Sequence, residues 1–471
     1  MVSRRQILTT LGATTVAASL ASPAAEGVDK RKSVIPLRTL GRTGRLVTPM
    51  GLGGQASLQW TAEGIDPADI VVRAFELGIN YFDTSNVYGE SQEHYGEAFR
   101  RLHLTPATAG YDAGLRERIF LATKTTRRFA RDPSQPAAQM AVDDLKRSLT
   151  QIFGDGKGSI PEGAYLDSIQ MHAVTTFEDV EHLYVGMNER GGTMPGQIGA
   201  FAALLDYRDG TDYTGLNPEH RHWVRHVGVS GHFSSPVLMR MLRLDEGNNL
   251  DTLLVALNVN DKLYLPHQTN VVPLAVARGM GVIAMKVFAD GVFFGKEARF
   301  SRTPADVITS VGDPNKLFYR DLVRYSVSTP GVTTAIIGIG HIDRKNPDKD
   351  QLVADFAAAI DTPMTPKERE QLEKQAAAMY GATTNYFQDK ARGLVQPTDI
   401  KLSKNGNRVT VSWNAGYAGA NPIRSWQIKS GAKVLLTIPF RPQLTMAPLT
   451  AYLTAEEAAG GNIDVIASET I

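Results

Sequence analysis

The sequence predicts an α/β fold, a (β/α)8 TIM barrel followed by a small all-β sandwich domain, on three observations. Between about Ser33 and Tyr380, short apolar runs bounded by turn residues alternate with amphipathic stretches of helical period, as in a parallel sheet with helical crossovers. Eight such runs fit into roughly 350 residues, the size of a barrel with insertions. After Tyr380 the helical pattern stops, and from Pro397 short alternating strands with glycine and asparagine turns take over.

Three segments follow from this reading: a leader over 1–30, the barrel over 34–385 and the β domain over 395–471. In the leader, Ser3-Arg4-Arg5-Gln6-Ile7-Leu8 precedes a Thr/Ala/Gly-rich run ending at Ala21–Ala25. It resembles a twin-arginine export signal, with small residues near Ala24 and Ala25 suited to a signal peptidase, and implies a periplasmic or extracellular protein. The run is too short and too weakly apolar for a membrane span, and no later segment approaches the ~20 apolar residues that crossing requires.

The strand candidates are Met50–Gly53, Ile79–Asp83, Ile119–Lys124, Asp167–His172, Val227–Gly231, Leu253–Asn258, Gly281–Lys286 and Thr333–Ile339. Helices fill the gaps, among them Asp66–Leu77, Ala137–Ile152, Val271–Arg278 and Leu317–Ser328. Ser235-Pro236 places a proline at a first helical position, and Thr365-Pro-Lys-Glu368 is a capping box that opens a helix toward Tyr380. The glycine-rich stretches Gly154–Gly163 and Gly186–Asn217 read as surface insertions.

Composition excludes several function classes. Fifty basic against forty-nine acidic residues leave no footprint for nucleic acid. With no cysteine, disulfides, thiolate metal sites and cysteine nucleophiles are ruled out, and the chain is compatible with an oxidising compartment. His220-Arg-His222-Trp-Val-Arg-His226 has metal-like spacing, but two arginines and no intervening carboxylate make it a basic loop, and no metal site is expected.

Asp83, Tyr88, Lys124 and His172 each fall at or just beyond the end of a strand candidate, the location of barrel active sites. The segment Gly78-Ile-Asn-Tyr-Phe-Asp83-Thr-Ser-Asn-Val-Tyr88-Gly-Glu resembles the aldo-keto reductase signature. Upstream, Leu40-Gly-Arg-Thr-Gly-Arg-Leu-Val is similar to that family's N-terminal hairpin. The likeness continues through Ala122-Thr-Lys124, Ile169-Gln-Met-His172, Gly228-Val-Ser230, Gly281–Lys286 and Thr329-Pro-Gly-Val-Thr, covering roughly residues 36 to 380.

The resemblance implies NAD(P)-dependent hydride transfer between a nicotinamide and a small carbonyl or alcohol substrate. Tyr88 would be the general acid; a free tyrosine titrates near ~10, so its phenolate needs stabilising. Lys124 would supply positive charge, Asp83 would hold that charge in place, and His172 would orient the substrate oxygen. The resemblance assigns the carboxamide end of the cofactor to Ser230 and Asn258, the nicotinamide face to Met285 and the pyrophosphate to Lys286.

At the other end, Arg344 or Lys345 would meet a 2′-phosphate and favour NADP, Asp343 would instead favour the free ribose hydroxyl of NAD, and Gln351 and Asp355 lie in the same region. Trp60 is a candidate for the substrate pocket. Gly231-His232 stands where the family has asparagine-phenylalanine, and Met285 where it has an aromatic. An alternative is a non-catalytic nucleotide-binding or envelope interaction protein on the same scaffold.

In the last segment, Val409–Trp413, Ile423–Ile428 and Ile463–Ala467 resemble strands of a fibronectin type III module, with Trp413 at its core. The resemblance implies docking or spacing, toward an envelope or protein partner, and no chemistry.

Overall fold

The computed structural model describes residues 35–55, 57–126, 137–187, 198–263, 267–309, 317–380 and 393–470. The segment 1–30, expected as a leader, lies outside them. A hairpin of β1 (Arg38–Thr39) and β2 (Leu46–Val47) opens the described chain. Its Leu40 and Val47 pack with Tyr81, Phe120 and Ile283 to fill the inside of the barrel. Gly41 turns this hairpin at φ +51°, and a Cβ there would fall 2.2 Å from the backbone nitrogen of Gly281, so the approach admits no side chain.

The barrel strands are β3 (Met50–Gly53), β4 (Tyr81–Asp83), β5 (Phe120–Thr125), β6 (Leu166–Met171), β7 (Val224–Gly231), β8 (Thr252–Ala256), β9 (Gly281–Met285) and β10 (Thr334–Ile337). All pair in parallel, and β10 closes on β3 with Ala335 opposite Met50. Every expected strand is present. Parallel strands enclosed by helices are buried on both faces, which is why these segments read as unbroken apolar runs.

The surrounding helices are α1 (Pro67–Glu76), α2 (Ser91–Arg101), α3 (Ala113–Arg118), α4 (Ala137–Phe153), α5 (Phe177–Tyr184), α6 (Ala200–Asp209), α7 (Ser235–Leu244), α8 (Val271–Ala277), α9 (Tyr319–Val327), α10 (Gln351–Ala359) and α11 (Pro366–Tyr380). Asp66 caps α1 by accepting from the Ala68 amide. Thr365 and Glu368 form the expected box before α11, each side chain accepting from the other's amide. Two details differ from expectation. Ser234, not Ser235, caps α7, so Pro236 is the second helical residue. The stretch Gly186–Asn217, expected as a surface loop, carries α6, whose residues Ala200–Tyr207 are all buried against α4 and β7. The helix's first six residues, Ala200–Leu205, are all apolar, so they lack the periodic stripe that marks a surface helix.

The β domain comprises β11 (Thr398–Asn405), β12 (Arg408–Asn414), β13 (Ser425–Ser430), β14 (Lys433–Pro439), β15 (Leu449–Thr454) and β16 (Ile463–Ser468). They form two three-stranded antiparallel sheets in the orders β11-β12-β15 and β14-β13-β16. Trp413 and Trp426 are fully buried between them, edge to face at 6.4 Å. Several contacts tie the domain to the barrel among the described residues. Asn270 pairs with Ala418 through two hydrogen bonds, Arg243 Nε donates to the Gln443 carbonyl, and an Arg278 terminal nitrogen donates to that of Leu444. No helix among the described residues is long and apolar enough to cross a membrane.

Candidate active site

Asp83 ends β4, Lys124 lies near the end of β5 and His172 follows β6, so the parallel sheet delivers their side chains to one mouth. Tyr88 arrives from the loop after β4. Lys124 Nζ donates to Asp83 Oδ1 and, at 2.8 Å, to the Thr84 carbonyl. The ammonium stands 4.9 Å from the centroid of the Tyr88 ring. The Tyr88 hydroxyl lies 3.3 Å from His172 Nε2, with the two rings edge to face. All four residues are buried, Tyr88 and His172 at 7% and 8% exposure and the ion pair at 1%.

Burial pushes the Asp83 carboxyl up, against the attraction of Lys124, and pushes the Lys124 ammonium down, against the attraction of Asp83. Lys286 adds a further downward push on Lys124. Neither charge tolerates this site without the other.

A cleft runs from Asp83 and Tyr88 past Met285 and Lys286 to Gly338, Gly340 and Gln351. The segment from Phe288 to Ile308 forms its outer wall. Lys286, at φ +60°, donates to Gln55 at 3.1 Å and to Asp290 at 3.4 Å. Gln351 accepts from the Gly340 amide and donates to the Asp355 carboxyl, which is wholly buried and pushed up to about 8 by that burial. A second recess shares Tyr88 and Gln55 and is walled by Val87, His172, His232, Phe233 and Phe300.

Other expected residues sit outside the cleft wall. Ser230 Oγ accepts from the Ala173 amide, tying β7 to the end of β6. Asn258 donates to the Lys286 carbonyl and accepts from the Asn260 amide. Arg344 is engaged with Asp69 through two hydrogen bonds and with Glu76 through one, so three of its five donors are held by carboxylates on α1. Lys345 is exposed, and Trp60, half-buried, lines neither recess. His220 and His222 each donate Nδ1 to a backbone carbonyl, and His226 faces Asp251. Sequence reasoning missed Gln55, Asp290 and the wall His232-Phe233. Gln55 was within reach of the rule applied to the other strands, since it is the first polar side chain beyond β3.

Polar side chains gathered over the carboxyl ends of a closed parallel barrel define an enzyme of the TIM-barrel class. Residues 49–347 match the aldo/keto reductase family, and the chain belongs to that family of oxidoreductases, which act on small carbonyl compounds. Among solved structures it is similar to the holo form of an aldo-keto reductase from Bacillus halodurans, at 20% identity over 74% of this chain and all of that one, TM-score 0.42. It is also similar to an aldo-keto reductase of Klebsiella pneumoniae solved with NADP and acetate (18% identity, 75% and 99% covered, TM-score 0.43). A third is a Bombyx mori aldo-keto reductase solved with NADP (18% identity, 72% and 92% covered, TM-score 0.46).

Proposed function

We propose that the protein is an NAD(P)-dependent carbonyl reductase in which Tyr88 is the general acid and base. The observation that carries this reading is the buried Lys124–Asp83 pair beneath Tyr88, whose hydroxyl meets His172 at 3.3 Å. A carbonyl oxygen accepting from both Tyr88 and His172 takes the Tyr88 proton as the C–H bond forms and the C=O π pair moves to oxygen. The phenolate left behind is stabilised by the Lys124 ammonium and is reprotonated from solvent. In the alcohol-to-carbonyl direction the same groups act in reverse.

When bound, the nicotinamide supplies the hydride. The cleft suits such a group: Met285 offers a polarisable face at its inner end, Lys286 a cation midway, and Gln351 an amide at the far end. Because Arg344 is already held by Asp69 and Glu76, the lean toward NADP rests on Lys345, with NAD the alternative. The order of the two β-domain sheets supports its likeness to a fibronectin type III module with a docking role. Ser3-Arg4-Arg5 supports export by the twin-arginine route, which carries folded proteins and so could carry one loaded with cofactor.

The test is Tyr88→Phe. Turnover of 4-nitrobenzaldehyde with NADPH or NADH should fall by about 10²–10⁴-fold, the usual contribution of a positioned acid, while nucleotide binding followed by fluorescence stays unchanged. Unchanged turnover would remove Tyr88 from the chemistry.

A further inference from the structure

The short turn His267–Thr269 and the following Asn270 sit between the β domain and the substrate recess. On one side, Asn270 donates its Nδ2 to the Ala418 carbonyl at 3.1 Å and accepts the Ala418 amide on Oδ1 at 2.8 Å. Asn270 occupies the cap position of α8 yet makes no side-chain cap bond to that helix; its amide is directed at the other domain. Thr269 adds a bond to the Gly419 carbonyl, and Ala418 belongs to the core of the β domain.

On the other side of the turn, His267 Nε2 lies 3.2 Å from the His232 carbonyl and Nδ1 lies 2.9 Å from Ser235 Oγ. A carbonyl only accepts, so Nε2 carries the proton, and the neutral ring then accepts from Ser235 through Nδ1. Burial holds the ring neutral by lowering it to about 4, although the bond to His232 opposes this. His267 therefore pins both ends of the Gly231–Ser235 turn. That turn carries His232 and Phe233, which wall the recess holding Tyr88 and His172.

We propose that the β domain braces the substrate wall of the active site through His267–Asn270, with His267 the positioning residue that holds His232 and Phe233. Substrate binding is thereby sensitive to a domain that contributes no group to the chemistry. The proposal rests on the reading that the Tyr88–His172 recess receives the carbonyl compound.

The test uses the full chain in four variants. Asn270→Ala opens the domain clamp. His267→Gln keeps a donor near the position of Nε2, whereas His267→Asn keeps only a group near Nδ1. Met446→Ala, which removes a peripheral contact to Arg240, is the control. Loss of one or two hydrogen bonds, transmitted in part to the wall, predicts that Asn270→Ala and His267→Asn raise KM for 4-nitrobenzaldehyde roughly three- to tenfold. In these two variants kcat and NADPH affinity should stay at wild-type values. His267→Gln should restore most of the KM, and Met446→Ala should leave it unchanged.

Hydrogen–deuterium exchange should show faster uptake over residues 231–238 in Asn270→Ala and His267→Asn alone. Unchanged protection there, an unchanged KM, or the same response in Met446→Ala would overturn the brace. A wild type that turns over no carbonyl with either cofactor would sink the reductase reading instead, and exchange over 231–238 would then decide the brace by itself.

Discussion

Replacing Asp355 by asparagine should flatten the acid-to-neutral stability profile of the barrel. The Asp355 carboxyl is wholly buried, receives one hydrogen bond from Gln351, and is raised from 3.8 to about 8 by loss of water. In the unfolded chain it titrates near its ordinary value. Between those limits the native state holds a proton that the unfolded state has released, so stability contributed by this group is complete below about pH 4 and drains away as pH rises toward 8. The slope is about one proton's worth of free energy per pH unit, or on the order of 3 kcal/mol between pH 5 and pH 7. Asparagine carries no such proton. Its second amide hydrogen adds a cost, but that cost is independent of pH and shifts only the intercept.

The assay is urea unfolding of both proteins at pH 5, 6, 7 and 8, followed by circular dichroism at 222 nm. This signal reports the barrel, because the described β domain holds a single four-residue helix, Ala455–Ala458. The difference in unfolding free energy should change by close to one proton's worth per pH unit in favour of Asp355→Asn. Parallel profiles would mean that Asp355 is ionised in the native state and that its burial does not govern its proton.

Further outcomes follow from other sites. Asp83→Asn leaves the Lys124 ammonium buried without an anion and should cost about 3–5 kcal/mol in the same urea assay, with Lys124→Met recovering part of the loss in the double variant. Arg344→Ala should leave the ratio of NADPH to NADH affinity within about twofold, since its donors are already engaged by carboxylates; a tenfold fall for NADPH alone in a binding titration would place the 2′-phosphate at Arg344. Trp413→Ala should destabilise the β domain by about 3–5 kcal/mol, read from the residual tryptophan fluorescence transition, while the 222 nm transition moves little.

Much of the barrel is legible because its physics is local. A strand buried on both faces leaves a continuous apolar run, and the residue at its carboxyl end, such as Asp83 or Lys124, stands out against that run. The Thr365–Glu368 box is legible for the same reason, as both partners lie within four residues. What escapes the sequence depends on contacts between distant segments. The first two turns of α6, Ala200–Tyr207, are buried because α4, α5 and β7 pack on them. Arg344 reads as a phosphate ligand until Asp69 and Glu76, nearly a barrel's length earlier in the chain, are found to hold it. Asn270 and Ala418 carry no local signal at all, since neither residue type announces a partner in another domain.

The closure of the barrel bears on how the chain is made. Strand β3 acquires its second neighbour only when β10 arrives, roughly 300 residues later; at 5–20 residues per second of synthesis its open edge waits on the order of 15–60 s. Throughout that interval the nascent sheet offers an unpaired backbone ladder to any strand nearby. Slowing translation upstream of Thr334 should therefore increase aggregation more than slowing it beyond Ile337.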